Sequence, residues 1–203
     1  MPIKKKTKPK HLRRSTYRRN YDRIVLSTLE LMGGRFSIRG RTIAMRAGVV
    51  RQTVYGIFGN VVSIVPTWER DTIDELQIYL RENTVQGLDD SEKDLNNKRT
   101  IRRLFMFIAQ RKELFVAAAE VVVGHEILRM ISVATLEELS ITWVPRGVNG
   151  LNDDGEAVDI FLETMAVLVW RWCRYDKCEI NTAKIYIQKL ERLTREAMMR
   201  CRL

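Results

Sequence analysis

In the stretch Ser37-Ile-Arg-Gly-Arg-Thr-Ile-Ala-Met-Arg-Ala-Gly-Val-Val-Arg-Gln-Thr-Val-Tyr-Gly-Ile-Phe58, two short apolar-periodic segments meet at a glycine. Ser37 is placed to cap a helix ending near Ala47, Gly48 supplies the tight corner, and Arg51 to Phe58 forms a second short helix before Gly59-Asn60. Val49, Val54 and Phe58 are expected in the core. The spacing alone suits a plain helical hairpin as well as a helix-turn-helix. Charge tilts the choice: no acid occurs from Leu31 to Trp68, while Arg35, Arg39, Arg41, Arg46 and Arg51 surround the turn.

The same bias holds outward from the motif. Residues 1–68 contain 15 Lys and Arg against 2 acids, Asp22 and Glu30, whereas residues 69–203 hold 20 basic and 23 acidic residues. Basicity confined to one end is expected where a protein meets a polyanion, because cations that neutralise phosphates release condensed counterions. Upstream, Tyr21, Ile24, Val25, Thr28, Leu29 and Met32 recur at helical spacing, which predicts a helix over about 17–32 stopped by Gly33-Gly34. Residues 1–16, rich in Lys and Arg with two prolines, are expected to form a disordered arm.

Downstream, Trp68, Ile73, Leu76, Tyr79 and Leu80 suit a long connecting helix over about 60–82. Residues 83–98 are polar and read as a loop, with Ser91 a cap candidate. A helical stripe then starts at Ile101, and further helices are expected over about 112–123 and 124–142. Residues 143–155 form a loop by composition. Ala157 to Cys173 is apolar at 13 of 17 positions, so this helix must be covered on most faces. Ala183, Tyr186, Ile187, Leu190, Leu193 and Ala197 make a near-heptad seam in the last helix. Nothing of length alternates with period two. The expectation is an all-α fold in three parts: arm (1–16), three-helix domain (17–62) and helical domain (63–203).

Within residues 20–65 the sequence resembles the tetracycline-repressor (TetR/AcrR) family of bacterial transcription regulators. Ile43-Ala44, Ala47-Gly48-Val49, Thr53-Val54-Tyr55 and Phe58 carry the resemblance. It implies a helix-turn-helix DNA-binding domain over 17–62 and an effector-binding and dimerisation domain over 63–203, in a homodimer that binds a palindromic DNA operator and responds to a small-molecule effector. Three positions depart from the family pattern: Val50 stands for a small polar residue, Ile57 for a frequent His, and Val61 for a Lys. The last two replace phosphate contacts by apolar groups, a loss the basic arm is expected to offset along the backbone or in a minor groove.

A recognition helix presents its first residues to base edges in the major groove. Arg51 and Gln52 stand there, suited to guanine and adenine respectively. Thr53 and Tyr55 are suited to phosphate or a thymine methyl, Arg41 matches a family position that touches base or backbone, and Arg39 lies beside it. The effector pocket that the resemblance implies has Phe105, Phe115, His125, Trp143, Phe161, Met165 and Trp170 available as lining. Two final helices suited to packing with their twofold mates predict the dimer.

Other classes are disfavoured. The longest apolar runs, such as Met165 to Trp170, are far below the roughly 20 residues of a bilayer span. The charged start is followed by no signal-like apolar segment, so a cytoplasmic protein is expected. Three cysteines (Cys173, Cys178, Cys201) make no disulfide framework and are read as reduced and structural. Two histidines, no zinc spacing and no glycine-rich phosphate loop predict neither enzyme, metal site nor cofactor. The rival reading is an adaptor whose arm binds RNA or anionic membrane without sequence preference.

Overall fold

The structure, a computed structural model, describes residues 10–81, 90–121, 124–138 and 153–200. Most of the described residues are helical, and none of them is in a strand. They divide into two compact units, residues 1–68 and 69–203.

The first unit contains α1 (Lys10–Gly33), α2 (Gly40–Ala47), α3 (Arg51–Phe58) and the start of α4 (Ile64–Arg81). Residues 10–16, expected in the arm, are the first two turns of α1. Lys and Arg are good helix formers, and no proline occurs between Pro9 and Gly33, so an existing helix extends through them. Tyr21, Ile24, Val25 and Leu29 form its buried stripe, and the Thr28 hydroxyl donates to the Ile24 carbonyl at 2.8 Å. α1 ends at Gly33, within the glycine pair expected to stop it, but the left-handed residue beyond it is not a glycine. Arg35 carries the left-handed backbone (φ 56°), and Phe36 N donates back to the Leu31 carbonyl at 2.9 Å.

Arg39, not Ser37, occupies the α2 N-cap position in an extended conformation, and its side chain makes no capping bond. Gly48 closes α2 at φ 61°, where a side chain is strained, and its N–H returns to the last carbonyls of the helix. Val54 and Phe58 are buried as expected, Val49 only in part. Phe58 stacks at 4.9 Å from Tyr21, which joins α3 to α1. Each fully buried aliphatic side chain here, such as Ile24, Ile43 or Val54, contributes about 1.5–3 kcal/mol. Asn60 Oδ1 accepts from Ser63 N at 2.8 Å just before α4 begins.

The second unit holds the rest of α4 with α5 (Asp90–Ala109), α6 (Lys112–Glu120), α7 (Gly124–Glu138), α8 (Asp153–Tyr175) and α9 (Ile180–Arg200). Residues 90–98, expected as loop, are the first turns of α5. Their polarity misleads because Asn96 and Asn97 are buried and partnered rather than solvated. Of the expected loop 143–155, residues 153–155 begin α8 and the remainder lies outside the described residues.

The helix α8 packs against α6, α7 and α9, and α9 also packs against α5. This covering matches the apolar composition of α8, whose Met165, Ala166, Val169, Trp172 and Cys173 are fully buried. The α9 seam behaves differently from a free heptad surface. Ala183 and Leu190 are buried within the chain itself, so part of the seam closes the core of this unit. Cys173 and Cys178 are buried thiols at the α8–α9 turn. Burial pushes the Cys173 thiol well above its ordinary range, and Cys178 beside it adds to the shift. Both thiols are buried and so lack the exposed setting of a redox sensor. Cys201 lies outside the described residues.

Candidate nucleic-acid interface

The first unit contains only two carboxylates, and both are engaged. Asp22 pairs with Arg18 at 3.1 Å, one turn apart on α1, and Glu30 pairs with Arg46 of α2 at 2.7 Å. The Glu30 pair removes Arg46 from the free cations that surround the turn. Arg19, Arg23, Arg35, Arg39, Arg41 and Arg51 have no carboxylate partner among the described residues of this unit. Concentrated, unpaired guanidinium groups raise the local positive potential and attract polyanions.

Tyr55 gathers several of these groups onto one face. Its ring lies against Gly40, so closely that a Cβ at Gly40 would stand 2.5 Å from the Tyr55 Oη. That contact brings the middle of α3 to the first turn of α2, where Arg39, Gly40 and Arg41 stand. Arg51 Nη2 donates to Tyr55 Oη at 3.3 Å, and its guanidinium carbon lies 5.2 Å from the ring centroid. Arg39, Arg41, Arg51 and Gln52 are exposed, whereas Thr53 and Tyr55 are half-buried.

Both short helices begin without a side-chain cap, at Arg39 for α2 and Val50 for α3, and neither has an acid in its first turn. Their leading N–H groups therefore add partial positive charge to the arginines. Two participants were not singled out from sequence as contacts. Arg23 of α1 lays its guanidinium against Gly48, a placement only the tertiary contact of α1 with the turn produces. Val50 is 69% exposed beside Arg51 and Gln52 at the start of α3. Its position next to them was visible in the sequence, but its exposure was not.

The residues expected to line an effector pocket do not form one shared wall. Phe105, Phe115, Phe161 and Met165 are buried core side chains. Trp170 is half-buried and its Nε1 donates to the Ala119 carbonyl at 3.2 Å, which with Arg174 satisfies the end of α6. Trp143 and the side chain of His125 lie outside the described residues. A cleft of about 360 Å³ does open in this unit, between α5 and α9, and of the expected set it is bordered by Phe105 alone. Large apolar residues at helical spacing pack against neighbouring helices before they enclose space.

No helix among the described residues is long and apolar enough to cross a membrane. Compared with family models, curated proteins and solved structures, the chain matches none of them. Geometry therefore defines the class: an all-α chain of two units, the first carrying an exposed cationic face built from α2 and α3.

Proposed function

We propose that this protein is a sequence-specific, double-stranded-DNA-binding transcriptional regulator: a ligand-responsive repressor that binds a palindromic operator as a homodimer. The resemblance of residues 37–58 to the tetracycline-repressor family points the same way. One observation carries the reading: the unit's two acids are engaged by Arg18 and Arg46, while Arg39, Arg41, Arg51 and Gln52 stand exposed on helices joined through Tyr55 and Gly40.

In this reading α2, the Gly48 turn and α3 act as a helix-turn-helix, with the first turn of α3 in the major groove. Gln52 reads an adenine edge. Arg51 exchanges its bond to Tyr55 for guanine or phosphate, and the freed Tyr55 hydroxyl, with Thr53, Arg39 and Arg41, holds the backbone. Exposed apolar side chains on α8 and α9, among them Val167, Tyr175 and Ile185, support pairing with a second copy. An effector acts as a population shift, by binding better to the conformation whose reading heads do not match the operator. In this reading the chain binds rather than catalyses: its histidines are His11 and His125, and its sequence carries neither a glycine-rich phosphate loop nor zinc-ligand spacing.

Selection of bound duplexes from a random pool tests the proposal. A palindromic consensus is expected, bound far more tightly than random duplex, RNA or anionic vesicles at physiological salt. Equal binding to all four would replace the reading with that of a non-specific adaptor.

A further inference from the structure

We infer that the cleft between α5 and α9 is a binding site for a small organic anion, specifically a carboxylate on a flat or aliphatic apolar body. Of the buried set expected to form a pocket, Phe105 alone borders this cleft. Its volume of about 360 Å³ lies within the range of small-molecule sites.

Its chemistry is divided. The floor is apolar, made by Phe105 and Trp172, whose rings lie 4.6 Å apart at 45°, together with Ala183. These side chains are locked: Trp172 Nε1 donates to the Glu179 carbonyl at 3.0 Å, so the indole has no polar demand on an occupant. Met106 and Ile180 stand partly exposed on the rim, at 43% and 59%. Apolar surface left wet here becomes favourable once covered, by about 25 cal/mol per Å².

The polar side decides the sign of the ligand. Glu191 is the one acid lining the cleft, and its charge is met by Arg102 at 3.1 Å. Lys184 is exposed on the same side, one turn before Gln188, with no carboxylate partner among the described residues. The lining therefore carries one uncompensated positive charge beside an amide donor. A carboxylate satisfies both, with its apolar body on the aromatic floor. A cation would meet Lys184 and Arg102 instead.

Isothermal titration of the full chain with three ligands of one shape, 2-naphthoate, 2-naphthalenemethanol and 2-naphthylmethylammonium, tests this assignment. It reads the cleft directly, so it stands or falls independently of DNA binding. One 2-naphthoate per chain is expected, at least tenfold tighter than the ammonium. Lys184→Gln should weaken 2-naphthoate about fivefold or more and leave the alcohol unchanged. Met106→Trp, which fills the cleft from its exposed rim, should abolish binding of all three with an unchanged circular dichroism spectrum.

Absence of binding, indifference to Met106→Trp, or equal affinity for the three ligands would overturn the assignment. Loss with Met106→Trp but none with Lys184→Gln would overturn the anion class. A change of oligomeric state in Ile180→Glu, measured by sedimentation, would show instead that a second copy covers the cleft.

Discussion

Replacing Gly40 by alanine separates the fold of the first unit from the function proposed for it. The added methyl would stand 2.5 Å from Tyr55 Oη and 3.0–3.1 Å from two ring carbons. Ordinary carbon contacts are about 3.5–4.0 Å, so the hydroxyl end of Tyr55 must retreat by roughly 1 Å. Two folding effects oppose one another. Alanine gains up to about 1 kcal/mol of helix propensity over glycine, and Gly40 has no left-handed backbone to penalise the change. Overpacking costs about 1–3 kcal/mol, at the lower end here because the obstructing atom is the free end of a half-buried side chain.

The net change in stability is therefore expected within about 1 kcal/mol, a shift of a few degrees in Tm. DNA affinity should fall much further, because the Tyr55 hydroxyl proposed to hold the DNA backbone is displaced from the cationic face. Loss of one charge-assisted hydrogen bond, about 1.5–3 kcal/mol, predicts a drop of roughly 10- to 150-fold. Fluorescence anisotropy with the selected duplex, alongside thermal melting by circular dichroism, reads both quantities. Unchanged affinity in a stably folded Gly40→Ala protein would refute the role of Tyr55. A loss of more than about 3 kcal/mol of stability would refute the view that its ring end is free to move.

Four further outcomes are expected. Gly48→Ala should lower stability by about 1–2 kcal/mol through the left-handed φ of 61°, read by urea unfolding, with Gly48→Asn closer to wild type. Gly56→Ala, at an exposed mid-helix position with nothing within 4 Å of the new methyl, should instead raise it by about 0.5–1 kcal/mol in the same assay. Val50 presents an exposed apolar side chain beside Arg51 and Gln52, and thymine's methyl is the apolar group of the major groove. Deoxyuridine scanning of the selected duplex should thus find one thymine whose methyl is worth about 0.8 kcal/mol, roughly fourfold in affinity, and Val50→Ala should erase that sensitivity. Finally, burial and the hydrogen bond to Asp176 push the Tyr186 phenol up to about 12. The folded state keeps this proton longer than the unfolded chain, so the contribution is complete below pH 10 and is lost as pH rises toward 12. Alkaline unfolding followed by circular dichroism should be shallower over that window in Tyr186→Phe.

Much of this was legible from local pattern. The apolar spacing of residues 21–29 announces α1, Gly48 announces the corner, and the bounds of α3 follow from Arg51, Phe58 and Gly59. The misreadings share one cause. Residues 10–16 and 90–98 look too polar to fold, yet a helix nucleated by an adjacent apolar stripe propagates through good helix formers, and at Asn96 and Asn97 burial supplies partners that polarity alone does not foretell. Likewise Ser37 has the right side chain for a cap, but the backbone enters α2 two residues later, where the extended residue is Arg39.

The sequence by itself determined the all-helical character, the glycine corner and the absence of acids across residues 31–68, because periodicity, left-handed backbone and charge count are properties of neighbours along the chain. Only the tertiary structure decided that Glu30 neutralises Arg46, that Tyr55 rests on Gly40, that Arg23 covers the Gly48 turn, and that part of the α9 seam is buried within the chain. The first three contacts join residues 15 to 25 positions apart, and their partners are set by which helix faces meet, a choice that many packings of the same helices would make differently.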